Sequence, residues 1–302
     1  MNDYNRLNEF YKNKFGERVL KISIDGGFTC PNRDGKKSFG GCVFCSEKGS
    51  GTNLKSSLDI SNQVKEFLDY KKDRANKFIV YFQNFTSTYG NLDVLKEKYD
   101  ASLIDDRIIG LDIDTRADEI NEDVCKLLSS YKEKYYVLVE LGLQTINENT
   151  HRFINQHISN EDFENALFLL NKYNIDVVVH IMVGLPNENH DDIKNIVSYL
   201  NNKNIQGIKI HSTYIVKNTK LALMYEKGEY IPLSEEDYIN EVIYILTHIR
   251  KDIVIHRITG DPAKEELIAP TFTLHKKRVL NSISKIFKEK NLRQGCYFGG
   301  GE

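Results

Sequence analysis

Apolar residues gather in seven short runs along this chain: Val19–Asp25, Phe78–Phe82, Ile108–Ile113, Tyr135–Leu141, Ile175–Val183, Gly207–His211 and Ile253–His256. Their Val, Ile, Phe and Tyr content suits a pleated, buried strand. Between them lie polar stretches whose apolar residues return at three- and four-residue steps: DISNQVKEFLDYKK (59–72), NLDVLKEKYDASL (91–103), NEDVCKLLSSYKEK (121–134), EDFENALFLLNKY (161–173) and DDIKNIVSYLNN (191–202). That period predicts helices covering one face of a sheet. Strand plus helix repeats about every 30 residues, which suits right-handed βαβ crossovers and a parallel sheet. A barrel or partial barrel of six or more units is the natural closure. A doubly wound open sheet is the alternative, although the G-x-G-x-x-G that marks its nucleotide-binding variety is missing after the first strand.

The chain ends change this picture little. An amphipathic segment precedes the first strand and is expected to be helical over 1–18, with the barrel over 19–260. A C-terminal extension, 261–302, contains HKKRVLNSISKIFKEKNLR (275–293) and then the glycine-rich GCYFGGGE. The first of these predicts a helix packed by Val279, Leu280, Ile283 and Phe287 with a basic outer face. Such a face is ordinarily a solvated one, and phosphate binding is the functional alternative. The 302 residues carry 41 Lys and Arg against 43 Asp and Glu, so any nucleic-acid surface has to be local. No apolar run approaches the ~18 residues of a membrane span, and nothing resembles a secretory leader. A reducing cytoplasm is expected, where clustered cysteines bind metal or do chemistry more often than they form disulfides.

The candidate chemistry lies where strands end, as it does in parallel barrels. After the first strand, the stretch from Lys21 to Gly51 brings Cys30, Cys42 and Cys45 in a C-x11-C-x2-C spacing; Cys125 and Cys296 lie elsewhere. The second strand exits into QNFTSTY (83–89). The third carries Asp112, Asp114, Thr115, Arg116 and Asp118, and the fourth Glu140, Gln144 and Thr145. His180, Met182 and GLPNE follow on the fifth, with Lys209, His211 and Thr213 on the sixth. A structural zinc site normally closes with four protein ligands, and only one C-x2-C pair is present. A thioredoxin-type pair would leave Cys30 unexplained. An iron–sulfur cluster held by three thiolates leaves one iron open to a small-molecule ligand, which is the mark of a working site.

A triad ending in C-x-aromatic-C after the first strand of a βα-repeat chain resembles the radical S-adenosylmethionine superfamily. Its extended first gap looks like that of the Elongator catalytic subunit. ELGLQT (140–145), DTRAD (114–118) and HIMVGLPNE (180–188) resemble motifs of the Elongator and coproporphyrinogen-dehydrogenase branches. CPNRDG…GGCVFC, YFQNFTSTY, HRITGD and APTFTL…VLN are similar to the YhcC/YtqA-like subgroup. The resemblance implies a (βα)6-type partial TIM barrel, a [4Fe–4S] cluster on Cys30, Cys42 and Cys45, and S-adenosylmethionine on its open iron. By the same token Gln83, Asn84 and Thr86 replace the usual G-G-E-P at the cofactor amino group, and Phe44 lies near the adenine. Glu140 or Gln144 would reach the ribose. Arg116 would hold the methionyl carboxylate or a substrate anion, with an ion pair to Asp114 or Asp118 as the alternative. Gly184 would pass close to the cofactor, with a plain turn as its rival. His180, His211 and Lys209 are candidates for substrate, although strand histidines are commonly satisfied core residues. The expected substrate is tRNA, whose 5-carboxymethylaminomethyl wobble uridine would lose carbon to give the aminomethyl form. Lys209, Lys217, Lys220 and the basic helix would meet phosphates, and flavodoxin or ferredoxin would supply electrons. Radical chemistry on a small metabolite or peptide, and a zinc-stabilised RNA-binding module, are the alternatives.

Overall fold

The computed structural model describes residues 3–299 apart from 48, 50–53 and 55. The end of the cysteine stretch, 50–51, and the end of the glycine-rich tail lie outside them. The elements run α1 (Leu7–Phe15), β1 (Val19–Ile24), α2 (Ile60–Lys71), β2 (Lys77–Phe82), α3 (Leu92–Asp100), β3 (Ile108–Thr115), α4 (Glu122–Tyr131), β4 (Tyr136–Gln144), α5 (Glu148–Phe153), α6 (Asn160–Lys172), β5 (Asp176–Val183), α7 (His190–Asn201), β6 (Gly207–Ser212), β7 (Ile215–Val216), α8 (Lys220–Glu226), α9 (Glu235–His248), β8 (Val254–Arg257), β9 (Leu267–Ala269) and α10 (Lys276–Glu289). All seven expected strands are present. They pair in parallel in the order β1-β2-β3-β4-β5-β6-β8 and curl into a half-barrel whose two edges, β1 and β8, do not join.

Local chemistry explains why the helices start where they do. Asp59, Asn91 and Asn121 each accept a hydrogen bond from a free backbone N–H in the first turn, and Ser159 and Asn189 close full capping boxes. Each of these capped helices then buries one stripe against the sheet, as α4 does with Val124, Cys125, Leu128 and Tyr131. Three helices, α5, α8 and α9, lie outside the predicted set. The last two fill the long crossover from β6 to β8, together with β7, which pairs antiparallel with β9. The extension expected from 261 onward thus returns a strand to the barrel rim before α10 packs by Val279, Ile283 and Phe287, with Leu280 partly buried.

The β8 edge is covered near its start. Ile255 N–H donates to Asn5 O at 2.8 Å, Asn5 N–H donates to Gln294 Oε1 at 2.8 Å, and the Gln294 amide reaches the carbonyls of Arg250 and Ile253. An exposed sheet edge is a template for foreign strands, and this covering removes part of it.

Candidate active site

The C-terminal strand ends surround a cavity of about 540 Å³. Cys30, Cys42 and Cys45 line it, all as free, half-buried thiols, whereas Cys125 is buried in α4 and Cys296 is exposed away from it. The loop carrying them is braced from two sides. Arg33 donates to the carbonyls of Cys45 (3.0 Å) and Ser46 (2.5 Å). Asn32 Nδ2 donates to Asn155 O at 2.5 Å and approaches Cys42 Sγ at 3.7 Å; Asn155 returns a bond to Gly41 O at 2.9 Å, and Val43 N–H donates to Ile154 O. Gly41 adopts φ +74°, and a Cβ there would meet the Arg33 guanidinium at 2.9 Å, so glycine is required for the brace to form.

Burial pushes the Cys42 thiol up to about 12, with the charge of Cys45 adding to it and Arg116 opposing. Cys45 is raised for the same first reason, against the pull of Arg33. Thiols in such surroundings ionise when a cation takes the place of their protons. Three sulfurs lining one cavity, with no fourth cysteine beside them among the described residues, fit a cluster that takes three protein thiolates.

Beside the cysteine loop the lining is polar, and Thr86 N–H donates to Thr29 O next to Cys30. Gln83 and Thr86 line the cavity, and Thr86 Oγ1 is buried without a partner among the described residues. Asn84 lies behind them, fully enclosed, and donates to Asp25 Oδ2 at 3.0 Å. Gln144 lines the cavity from the end of β4 with φ +68°, a left-handed conformation unusual for its residue type, where β4 slips register against β5. Arg116 resolves its two expected partners in favour of Asp118, which it grips through a fork at 2.9 and 2.8 Å, while it also donates to Gln156 O. Asp114 instead accepts from Tyr81 Oη at 3.2 Å. Phe44 reaches the cavity and packs against two small apolar clusters.

Three expected site residues turn elsewhere. Glu140 is fully buried below the cavity, where it meets Lys21 at 2.8 Å, His180 at 2.8 Å and Lys209. Burial works to raise its pKa, but the ammoniums of Lys209 and Lys21 hold it well below the carboxylate range. It therefore has no reach to a ribose, and of the pair Glu140 and Gln144 only Gln144 faces the cavity. Lys209 is consumed by Glu140 and by Tyr81 Oη at 3.0 Å, so it is no phosphate contact at the rim. Gly184 is a turn glycine: its φ is +85°, its carbonyl accepts from Tyr230 Oη at 2.6 Å, and Leu233 occupies the space a Cβ would need.

His180 and His211 do line the wall, with ring centroids 5.0 Å apart. Burial lowers His180 to about 4 and His211 well below the usual imidazole range, so both are neutral near pH 7. The cavity adds residues that periodicity could not single out, among them Tyr81, Gln156, Tyr214 and Arg257. Tyr81 and Arg257 fall inside the quoted YFQNFTSTY and HRITGD stretches, which is the signal that could have found them.

Comparison with known proteins agrees with this geometry. The Radical SAM superfamily profile matches residues 30–200, and the Radical_SAM C-terminal domain matches 205–289. The Bacillus subtilis protein YtqA is 38% identical over 300 residues, covering 98% of this chain and 92% of that one. The tRNA uridine(34) acetyltransferase of Methanocaldococcus jannaschii is 29% identical over 158 residues, 51% of this chain and 29% of the relative. Among solved structures, archaeal Elp3 from Methanocaldococcus infernus superposes with a TM-score of 0.70 at 19% identity, over 92% of this chain and 65% of that one, and shares the fold.

Proposed function

Since this chain belongs to the radical S-adenosylmethionine superfamily, we propose that it is a tRNA-modifying member acting on the C5 side chain of the wobble uridine. The superfamily's cofactors, a [4Fe–4S] cluster and S-adenosylmethionine, are this enzyme's cofactors. When bound, they supply a 5′-deoxyadenosyl radical that abstracts a hydrogen atom from the substrate, with flavodoxin or ferredoxin as the proposed electron source.

Cys30, Cys42 and Cys45 hold the cluster, and Asn32, Arg33 and Asn155 fix the loop so that the sulfurs keep their spacing. Gln83 and the unpartnered hydroxyl of Thr86 take the amino group of S-adenosylmethionine, with Asn84 between them in sequence held by Asp25. Gln144 serves the ribose. Arg116, already oriented by Asp118, adds a fixed positive charge toward the carboxylate. Phe44 closes the adenine side. Filling of the cavity by cofactor and substrate would keep water from a reactive carbon radical.

The observation that carries this reading is the set of three free thiols lining one substrate-sized cavity. For the substrate, support comes from the acetyltransferase relative, whose name specifies tRNA uridine 34, and from exposed lysines. Lys217 and Lys220 are exposed, and Lys220 Nζ lies 4.0 Å from the Cβ position of Gly40 in the cysteine loop. On α10 and just beyond it Lys277, Lys288 and Arg293 are exposed and have no ion pair among the described residues. Conversion of 5-carboxymethylaminomethyl to aminomethyl-uridine is the proposed outcome. Nucleoside profiling of tRNA from a deletion strain tests it: the carboxymethylaminomethyl form should accumulate at the aminomethyl form's expense. Unchanged wobble uridines would refute it. Anaerobically purified protein should carry about four irons, and Cys42→Ser should lose most of them; one zinc would mark a structural module.

A further inference from the structure

The HRITGD stretch takes no part in holding the thiols, yet Arg257 and Asp261 reach the cavity wall. Three arginines line that cavity. Arg33 spends its donors on the cysteine-loop carbonyls, and Arg116 on Asp118 and the Gln156 and His157 carbonyls. Arg257 makes no hydrogen bond among the described residues. Its one ion pair is with Asp261 at 3.9 Å, a carboxylate 57% exposed that also faces Lys276 at 3.6 Å, while the Arg257 side chain itself is only 25% exposed. A guanidinium so enclosed and so weakly paired is costly to keep.

Its surroundings are built. Arg257 lies in register with Lys209 of β6, whose ammonium is taken by Glu140. Beside it His211 presents a buried Nε2 without a partner. Gly260 closes the HRITGD turn by donating to Ser212 Oγ at 3.3 Å, and a Cβ there would strike the Tyr214 ring at 2.5 Å. The two ends of the cavity are also electrically distinct. Arg116 and Arg33 act on the Cys42 and Cys45 thiols, whereas Arg257 acts on His180, His211 and Tyr81; Tyr214 lies between the two ends, under both Arg257 and Cys45.

We propose that Arg257, with the His211 imidazole beside it, forms a subsite for a carboxylate of the substrate, set apart from the cysteine end. A planar fork with one fixed charge suits a carboxylate bound bidentately. A phosphate dianion would bring a second charge to a wall already lined by Asp261 and Glu266, with no further unpaired cation there among the described residues. In identifying the carboxylate with that of the carboxymethyl group, the assignment rests on the wobble-uridine reading; the subsite itself does not.

The test titrates holoenzyme with bound S-adenosylmethionine by calorimetry, using 5-carboxymethylaminomethyluridine, N-benzylglycine and the methyl ester of each. The acids should bind at least ~10-fold more tightly than their esters, a difference of about 1.4 kcal/mol. Arg257→Gln should erase that preference and Arg257→Lys should retain part of it, with cofactor affinity within about 2-fold. Equal binding of acid and ester to the wild type overturns the subsite, and so does a cofactor affinity that falls in Arg257→Gln along with the preference. If N-benzylglycine keeps its preference while the deletion strain shows unchanged wobble uridines, the subsite stands for a different carboxylate substrate and the tRNA reading falls.

Discussion

At the scale of single residues, burial decides more than charge. His180 titrates near 4 in the folded chain against about 6.5 when unfolded. Between those values the unfolded state binds more protons, so the contribution of His180 is complete above pH 6.5 and is lost as pH falls toward 4. The gap corresponds to roughly 3 kcal/mol. Asp112, raised to about 7 by burial and then by Glu140, pulls the opposite way over the same window, so the measurement is a difference curve. Denaturant midpoints of wild type and His180→Asn should converge as pH drops from 6.5 to 4, and a pH-independent difference would show that His180 does not titrate. Gln144 gives a second residue-scale expectation. Relief of its left-handed backbone should roughly offset the added chain entropy, leaving Gln144→Gly within about 1 kcal/mol of wild type. S-adenosylmethionine affinity should nevertheless fall at least ~10-fold if the amide meets the ribose, as loss of a buried hydrogen bond of about 1.4 kcal/mol would give.

At the scale of elements, the cysteine loop depends on a segment more than 100 residues away. Asn155→Ala removes both the bond to Gly41 O and a residue suited to φ +57°. Iron retention on gel filtration should fall markedly, while the melting transition moves by only a few degrees. For α10, replacing Lys277, Lys288 and Arg293 by Gln should weaken tRNA binding and flatten its log–log salt dependence by about two to three units. An unchanged slope would mark a merely solvated face. Elements also show what was legible in the chain. The strands and the helices capped by Asp59, Asn91, Asn121 and Asn189 follow from runs and periods that are local. β7 and β9 have two and three residues, too few for alternation to register, and exist because they pair with each other across about 50 residues. Placement of polar groups at strand ends was legible; their direction was not. Nothing local separates Gln144, which faces the cavity, from Glu140, which faces two lysines, because the lysines arrive from β1 and β6.

At the scale of the molecule, that same carboxylate is a hub. Lys21 on β1, Asp112 on β3, Glu140 on β4, His180 on β5 and Lys209 on β6 meet on the concave side of the sheet. Removing one partner from such a buried set strands the others, so Glu140→Leu should cost about 3–5 kcal/mol in chemical denaturation. A closed barrel fixes its width by the hydrogen bonds of its last strand pair, and this one has none. Lysines from two strands near opposite ends of the sheet converge on one central carboxylate, so the bore is drawn in like a purse on two strings of fixed length. Side-chain reach then joins strand pairing in holding the width of the bore beneath the cavity.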